Sequence, residues 1–196
     1  MAGLFNYSNQ NNFQIEIPDG QLTKSFTLNV QSVTLPAMTI PPTKQVAGQY
    51  GLAVSDYPSS HFEFEPLVVR FIVDEHLESY INLYTWMLST VDYIGGNPTV
   101  WKNSSPEAVQ VHILDNERRN IVSTFNFYGC WCSQLGELEY SYTEDMHASI
   151  ICTAIMPFKT LSIEKDGRII KPRPTISEAN RERINKIMTG HPALRK

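Results

Sequence analysis

The stretch that decides the reading is Gly129 to Leu138, "GCWCSQLGEL", where two cysteines flank a tryptophan and a Gly-Glu-Leu follows. If Cys130 and Cys132 bind metal or carry electrons, the chain is chemical. If they only pack, it is architectural. Successive side chains of a strand point to opposite faces, so Cys130 and Cys132 share one side and Trp131 takes the other. Trp131 then joins Phe125 and Phe127 on the core side, and the thiols fall on the wetter face of Thr124 and Asn126. A disulfide between residues two apart on a strand would be badly strained. Zinc needs a full tetrahedral ligand set and usually a wider cysteine spacing, which neither Cys152 nor His147 supplies. Packing is the expected role, with no metal and no cofactor.

Outward from this stretch, most of the signal has period two. In "KSFTLNVQSV", Phe26, Leu28 and Val30 alternate with Thr27, Asn29 and Gln31, which predicts a strand with one wet face. "HFEFE", "PLVVRFIV", "EAVQVHIL", "NIVSTFNFYGCWC" and "LEYSYT" read as further strands, rich in β-branched and aromatic residues. "HASIICTAIMPF" is apolar on both sides, as for a strand covered on both faces. Asp115 to Arg119 reads as a hairpin turn. One helix is expected near residues 75–90, with Asp74 as N-cap and Leu77, Ile81, Tyr84 and Leu88 as its apolar stripe. The four-proline segment 36–60 reads as a long loop or a projecting hairpin, and such loops usually carry function. The predicted fold is mainly β: two packed antiparallel sheets, a sandwich or partial barrel, flanked by one helix.

Charge divides the chain. Residues 1–158 hold six Lys/Arg against sixteen Asp/Glu, a balance of −10, whereas residues 159–196 hold ten against four, a balance of +6. We therefore divide the chain into a β domain over 1–158 and a basic C-terminal extension over 159–196. The extension holds a hairpin turning at Asp166-Gly167 and a short helix near 176–188 opened by a Thr175–Glu178 capping box. A basic tail on an acidic body implies an acidic partner, such as a neighbouring copy. Three cysteines do not form a disulfide framework, and synthesis in a cytoplasm without signal peptide or membrane anchor is expected. The body lacks the clustered cations that nucleic-acid binding requires. Nucleotide-loop, serine-elbow and zinc-protease motifs are missing, and no nucleophile is paired with a base, so no catalytic residue is expected.

Three blocks, in order, resemble the tail tube proteins of contractile-tailed bacteriophages. They are "SFTLNVQSVTLPA", "FEFEPLVVRFIVDEHLESYINLYTWM" and "FYGCWCSQLGELEYSYTEDMHASIICTAIMPF". The third is the most specific, through Gly129, Trp131, Gly136, Glu137 and Leu138, and the likeness spans roughly residues 13 to 158. The resemblance implies a virion structural protein. Copies form a homo-oligomer of hexameric rings, and rings stack into a tube that conducts DNA without binding it specifically. Strands of neighbouring subunits join into one barrel around the channel, in contact with sheath, baseplate or neck proteins. By the same resemblance Thr27, Asn29 and Gln31 line the lumen, and Leu35, Pro36, Met38, Pro41 and Tyr50 belong to a ring-stacking loop. A repeating tube subunit is the leading expectation. The basic extension departs from the family pattern and keeps open a specialised tube-like protein at the baseplate or neck. Inner-tube proteins of secretion machines share the implied fold, and a small peptide- or glycan-binding β module is the reading outside the family.

Overall fold

The computed structural model describes residues 6–47, 49–96, 106–142 and 149–174, with residues 178, 180–183 and 185 beyond them. In chain order the elements are β1 (Phe13–Glu16), α1 (Lys24–Leu28), β2 (Val30–Thr34), β3 (Met38–Thr39), β4 (Pro42–Ala47) and a 3-10 turn at Gln49–Gly51. There follow β5 (Ala53–Pro58), β6 (Glu63–Phe64), β7 (Leu67–Ile72), α2 (Glu78–Thr90), β8 (Ala108–Leu114) and β9 (Ile121–Tyr128). Last come β10 (Gln134–Leu135), β11 (Ile151–Met156), β12 (Thr160–Lys165) and β13 (Arg168–Ile169). Sheet I has the order β1-β8-β9-β12-β13 and sheet II the order β10-β11-β7-β2. Among the described residues every pairing is antiparallel and neither sheet closes into a barrel.

The core lies between the sheets, and alternation along the strands selects who enters it. Leu67, Val69 and Phe71 of β7 meet Cys152, Ala154 and Met156 of β11, with Val109 and Val111 of β8 and Phe127 of β9 in the same cluster. Phe26 packs edge-on against Phe71 at 5.1 Å between ring centres, and Phe127 against Phe158 at 5.0 Å. Each such ring removed from water contributes about 1.5–3 kcal/mol.

Several sequence expectations give way here. The predicted strand through Ser25–Asn29 is the short helix α1, with Thr27 N–H on the Thr23 carbonyl and Asn29 N–H on that of Ser25. Only Phe26 of this stretch is needed in the core, and Leu28 stands 74% exposed. A pattern of alternating apolar residues this short fits one helical turn as well as a strand. The stripe on α2 is also rotated. Ser79, Leu83 and Trp86 are its buried residues, whereas Ile81 is half exposed. The helix begins at Glu78 rather than at residue 75. Leu77 takes a left-handed conformation, and Asp74 still caps from a distance, accepting the N–H groups of Glu78 and Ser79 at 2.9 Å each.

The described part of "LEYSYT", residues 138–142, lies in no strand, and Tyr140 and Tyr142 are exposed. β11 is buried on one face only. Sheet I also runs past the expected boundary at Phe158, because β12 pairs with β9 from Thr160 to Lys165. The Asp166-Gly167 turn forms as predicted, with both residues at positive φ. Of the helix expected near 176–188, the described residues 178, 180–183 and 185 are helical and exposed. Thr175, the start of the capping box, lies outside the described residues.

Candidate assembly interface

The two sheets treat their edges differently. Sheet I ends on one side at β1, which carries Glu16 and runs into Pro18. On the other side it ends at the two-residue β13, followed by Lys171, Pro172 and Arg173. Charges, prolines and short strands are the usual protection of an edge against stray pairing. Within its edge strands sheet II holds no charge, β2 reading "VQSVT" and the two-residue β10 "QL", and Pro36 and Glu137 follow two residues beyond them. An unprotected edge is a template for another strand.

Sheet II also continues outward. β2 and β7 pair at Thr34↔Val68, β3 and β6 at Met38↔Phe64, and β4 and β5 from Pro42↔Pro58 to Ala47↔Ala53. Backbone bonds from Glu65 N–H to the Ala37 carbonyl and from Ser59 N–H to the Pro41 carbonyl bridge the gaps. The segment 36–60 is thus the distal part of one long hairpin, kinked where the returning strand carries extra residues after Pro58. From Met38 to the turn the arm reaches about 30 Å at the rise of a strand.

Its surface is apolar where water would be its only neighbour: Val46 is 73% exposed, Leu52 88% and Tyr50 87%. An isolated two-stranded ribbon is marginal in water, and apolar groups grouped on a projection mark a contact surface. At its tip Gly51 is required, since φ is +69° and an added Cβ would lie 2.9 Å from Val46 Cγ1.

The predicted stacking residues divide along this arm. Pro36 is buried at its root, Leu35 is packed against the core, Pro41 is half-buried at the kink, and Met38 and Tyr50 are exposed. Val46, Leu52, Val54 and Tyr57 were not singled out from sequence. The signal for them was the apolar spacing on either side of "GQYG".

The expected lumen residues do not share a strand face. Thr27 Oγ1 donates to the Lys24 carbonyl within α1, and Asn29 Nδ2 donates to Ser79 Oγ at 2.6 Å. Gln31 alone lies on β2, at a bulge between Val30 and Ser32, and is exposed.

In the Gly129–Leu138 stretch the roles of tryptophan and cysteine are exchanged. Gly129 takes φ +62° and ends β9, which resets the alternation, so Cys130 and Cys132 are buried and Trp131 is 37% exposed. Trp131 N–H bonds the Pro157 carbonyl and Ser133 N–H that of Ile155, laying the segment along β11. Gly136 N–H donates to the Thr153 carbonyl at 2.8 Å, and an added Cβ would come within 3.0 Å of that oxygen. Glycine is there for close backbone approach. Leu138 packs on the core and Glu137 is exposed. Burial pushes both thiols up to about 12, so they stay protonated at neutral pH and neither is a ready nucleophile. Trp131 joins Tyr84, Met87 and Tyr93 around an apolar hollow of about 240 Å³.

The outer face of sheet I is polar and satisfied from within. His112 Nδ1 lies 2.9 Å from Thr124 Oγ1 and His112 Nε2 3.4 Å from Glu16. Gln110 donates to Asn126 at 2.9 Å, and Asn126 donates to Glu164 at 3.0 Å. Among the described residues no group of three His, Cys, Asp or Glu is placed to hold a metal ion, and no helix is long and apolar enough to cross a membrane.

Comparison with known proteins places this geometry. Residues 9–161 match the family described as T4-like virus tail tube protein gp19. The tail tube terminator protein of Enterobacteria phage T4 is 47% identical over 167 residues, covering 85% of this chain and 94% of that protein. Among solved structures, the anti-feeding prophage tube terminating cap aligns with a TM-score of 0.61 at 9% identity, over 84% of this chain and 95% of its own. The fold is also similar to that of the PVC sheath/tube terminator of an extracellular contractile injection system, with a TM-score of 0.60 at 10% identity, over 83% and 99%.

Proposed function

We propose a function from one premise: the chain belongs to the tail tube protein family of T4-like viruses. It is a tail-tube-associated structural protein of the virion tail and not an enzyme. Within that family we assign it to the ring that ends the tube, the neck-end alternative, in place of the repeating subunit favoured by sequence. The observation that carries this is the 47% identity with a protein named for tube termination, across nearly all of that protein.

In our reading, copies of the chain form a ring, hexameric by family likeness, by pairing β2 of one with the β10 edge of the next. Sheet II then becomes a segment of a barrel around the channel. Closure removes the unprotected edges that a lone subunit leaves open. The arm lays Val46, Tyr50 and Leu52 against the adjacent ring of the tube. A terminating ring must accept a ring on one side and offer no seat on the other. We assign that refusal to the basic extension beyond Leu161, where the family match stops. The channel conducts DNA.

Quantitative mass spectrometry of purified virions tests the assignment. One ring of copies per tail, far below the number of tube subunits, is expected. A copy number equal to that of the main tube subunit would return the chain to the repeating role.

A further inference from the structure

The four strands of sheet II contain a single charged residue, Arg70. It stands in the middle of β7, paired with Ser32 of β2 on one side and Thr153 of β11 on the other. Alternation turns Leu67, Val69 and Phe71 into the core and Val68, Arg70 and Ile72 to the opposite face. Arg70 is exposed there, and among the described residues neither an ion pair nor a side-chain hydrogen bond engages it. Its surroundings on that face are Thr34, Ser32, Val68, Ile72, Ile151, Thr153 and Ile155, with no carboxylate in the sheet. Thr27, Asn29 and Gln31, the lumen residues expected by resemblance, carry no charge, and Arg70 adds one cation per chain on sheet II.

An arginine fixed at mid-sheet amid methyl groups and short hydroxyls is an unusual placement in a body with a balance of −10. On a closed ring of such sheets its copies sit at one height, about 19 Å apart around the wall, so each is a separate contact point for an anion in the channel. We propose that Arg70 forms a cationic collar inside the channel, which holds duplex DNA by its phosphates. This rests on the ring reading above.

Guanidinium is suited to this role, because it presents a planar fork of donors that meets phosphate oxygens in pairs. A duplex is favoured over an acidic peptide because it carries phosphates around its whole circumference, so every copy of Arg70 has a partner at the same height. One cation per subunit in an otherwise neutral wall would retain DNA weakly and release it.

The test uses the full chain, with ring formation scored by negative-stain microscopy and binding of a fluorescein-labelled 20-base-pair duplex followed by anisotropy across a salt series. Wild-type rings should bind the duplex. Rings of Arg70→Gln should form equally well and bind tenfold or more weaker, with the log–log salt slope reduced by about 0.9 for each phosphate no longer neutralised. Arg70→Lys should retain most of the binding. Arg70→Met serves as a second neutral variant should Arg70→Gln fail to assemble. Neutral-variant rings that bind like wild type would overturn the collar while leaving the ring intact. So would wild-type rings that prefer polyglutamate to the duplex. Failure of the wild-type chain to form rings under any condition would instead bring down the ring reading, and the collar with it.

Discussion

Sheets I and II share one core and differ in everything that faces away from it. Sheet I meets its own needs: His112 bonds Thr124, Gln110 donates to Asn126 and Asn126 to Glu164 across its outer face, and its edge strand β1 carries Glu16. Sheet II has edge strands without a charge of their own, a single arginine, half-exposed isoleucines and an arm whose apolar tip stands open to solvent. The difference teaches which half of the molecule is finished in a single copy and which is written for a neighbour.

The comparison breaks most visibly if the arm is removed. Replacing Thr39–Glu63 by Asn-Gly joins Met38 to Phe64 through the tight turn their pairing invites. The body should melt as before while stacked assemblies vanish from electron micrographs. Unchanged stacking would show that the arm belongs to the monomer. The shared core comes next. Phe71→Ala should cost about 3–5 kcal/mol in chemical denaturation, because Phe71 is fully buried and braces Phe26.

Asn126→Ala tests the self-sufficient face. It deprives Gln110 and Glu164 of their common partner and should cost about 1–3 kcal/mol without altering assembly. Loss of assembly in that variant would move sheet I into the interface.

The smallest effect is at Asp74, whose carboxyl is held down to about 2 from 3.8, chiefly by the Ser79 hydroxyl and backbone N–H. A lowered pKa means the charged cap stabilises fully above 3.8 and loses its contribution as the pH falls through the folded value. Asp74→Ala should therefore cost about 1 kcal/mol at pH 7. Wild type and variant should converge when denatured near pH 2.

The sequence revealed those features whose pattern admits one solution. The long alternation of "EAVQVHIL" and "NIVSTFNFY" fits only a strand pair, and the Asp166-Gly167 turn fits only a hairpin. It misled where a single residue carries the decision. Gly129, by turning left-handed, exchanged the faces of Trp131 and the two cysteines, and no count of periods foresees that. The stretch around Phe26 was too short for period two to exclude one turn of helix. The arm was half legible: prolines and glycines marked a projection, but its pairing rests on a register shared with β2 and β7, which lies outside the segment itself. Arg70 was in plain view in "LVVRFI" and acquired meaning only once the open sheet was known.

Amide hydrogen exchange, read residue by residue in assembled and dispersed protein, bears most directly on the claim that copies complete sheet II. Slowed exchange at Val30–Thr34 and Gln134–Leu135 on assembly, with Phe13–Glu16 and Arg168–Ile169 unaltered, is the expected result. Equal exchange in both states at the β2 and β10 edges would contradict it.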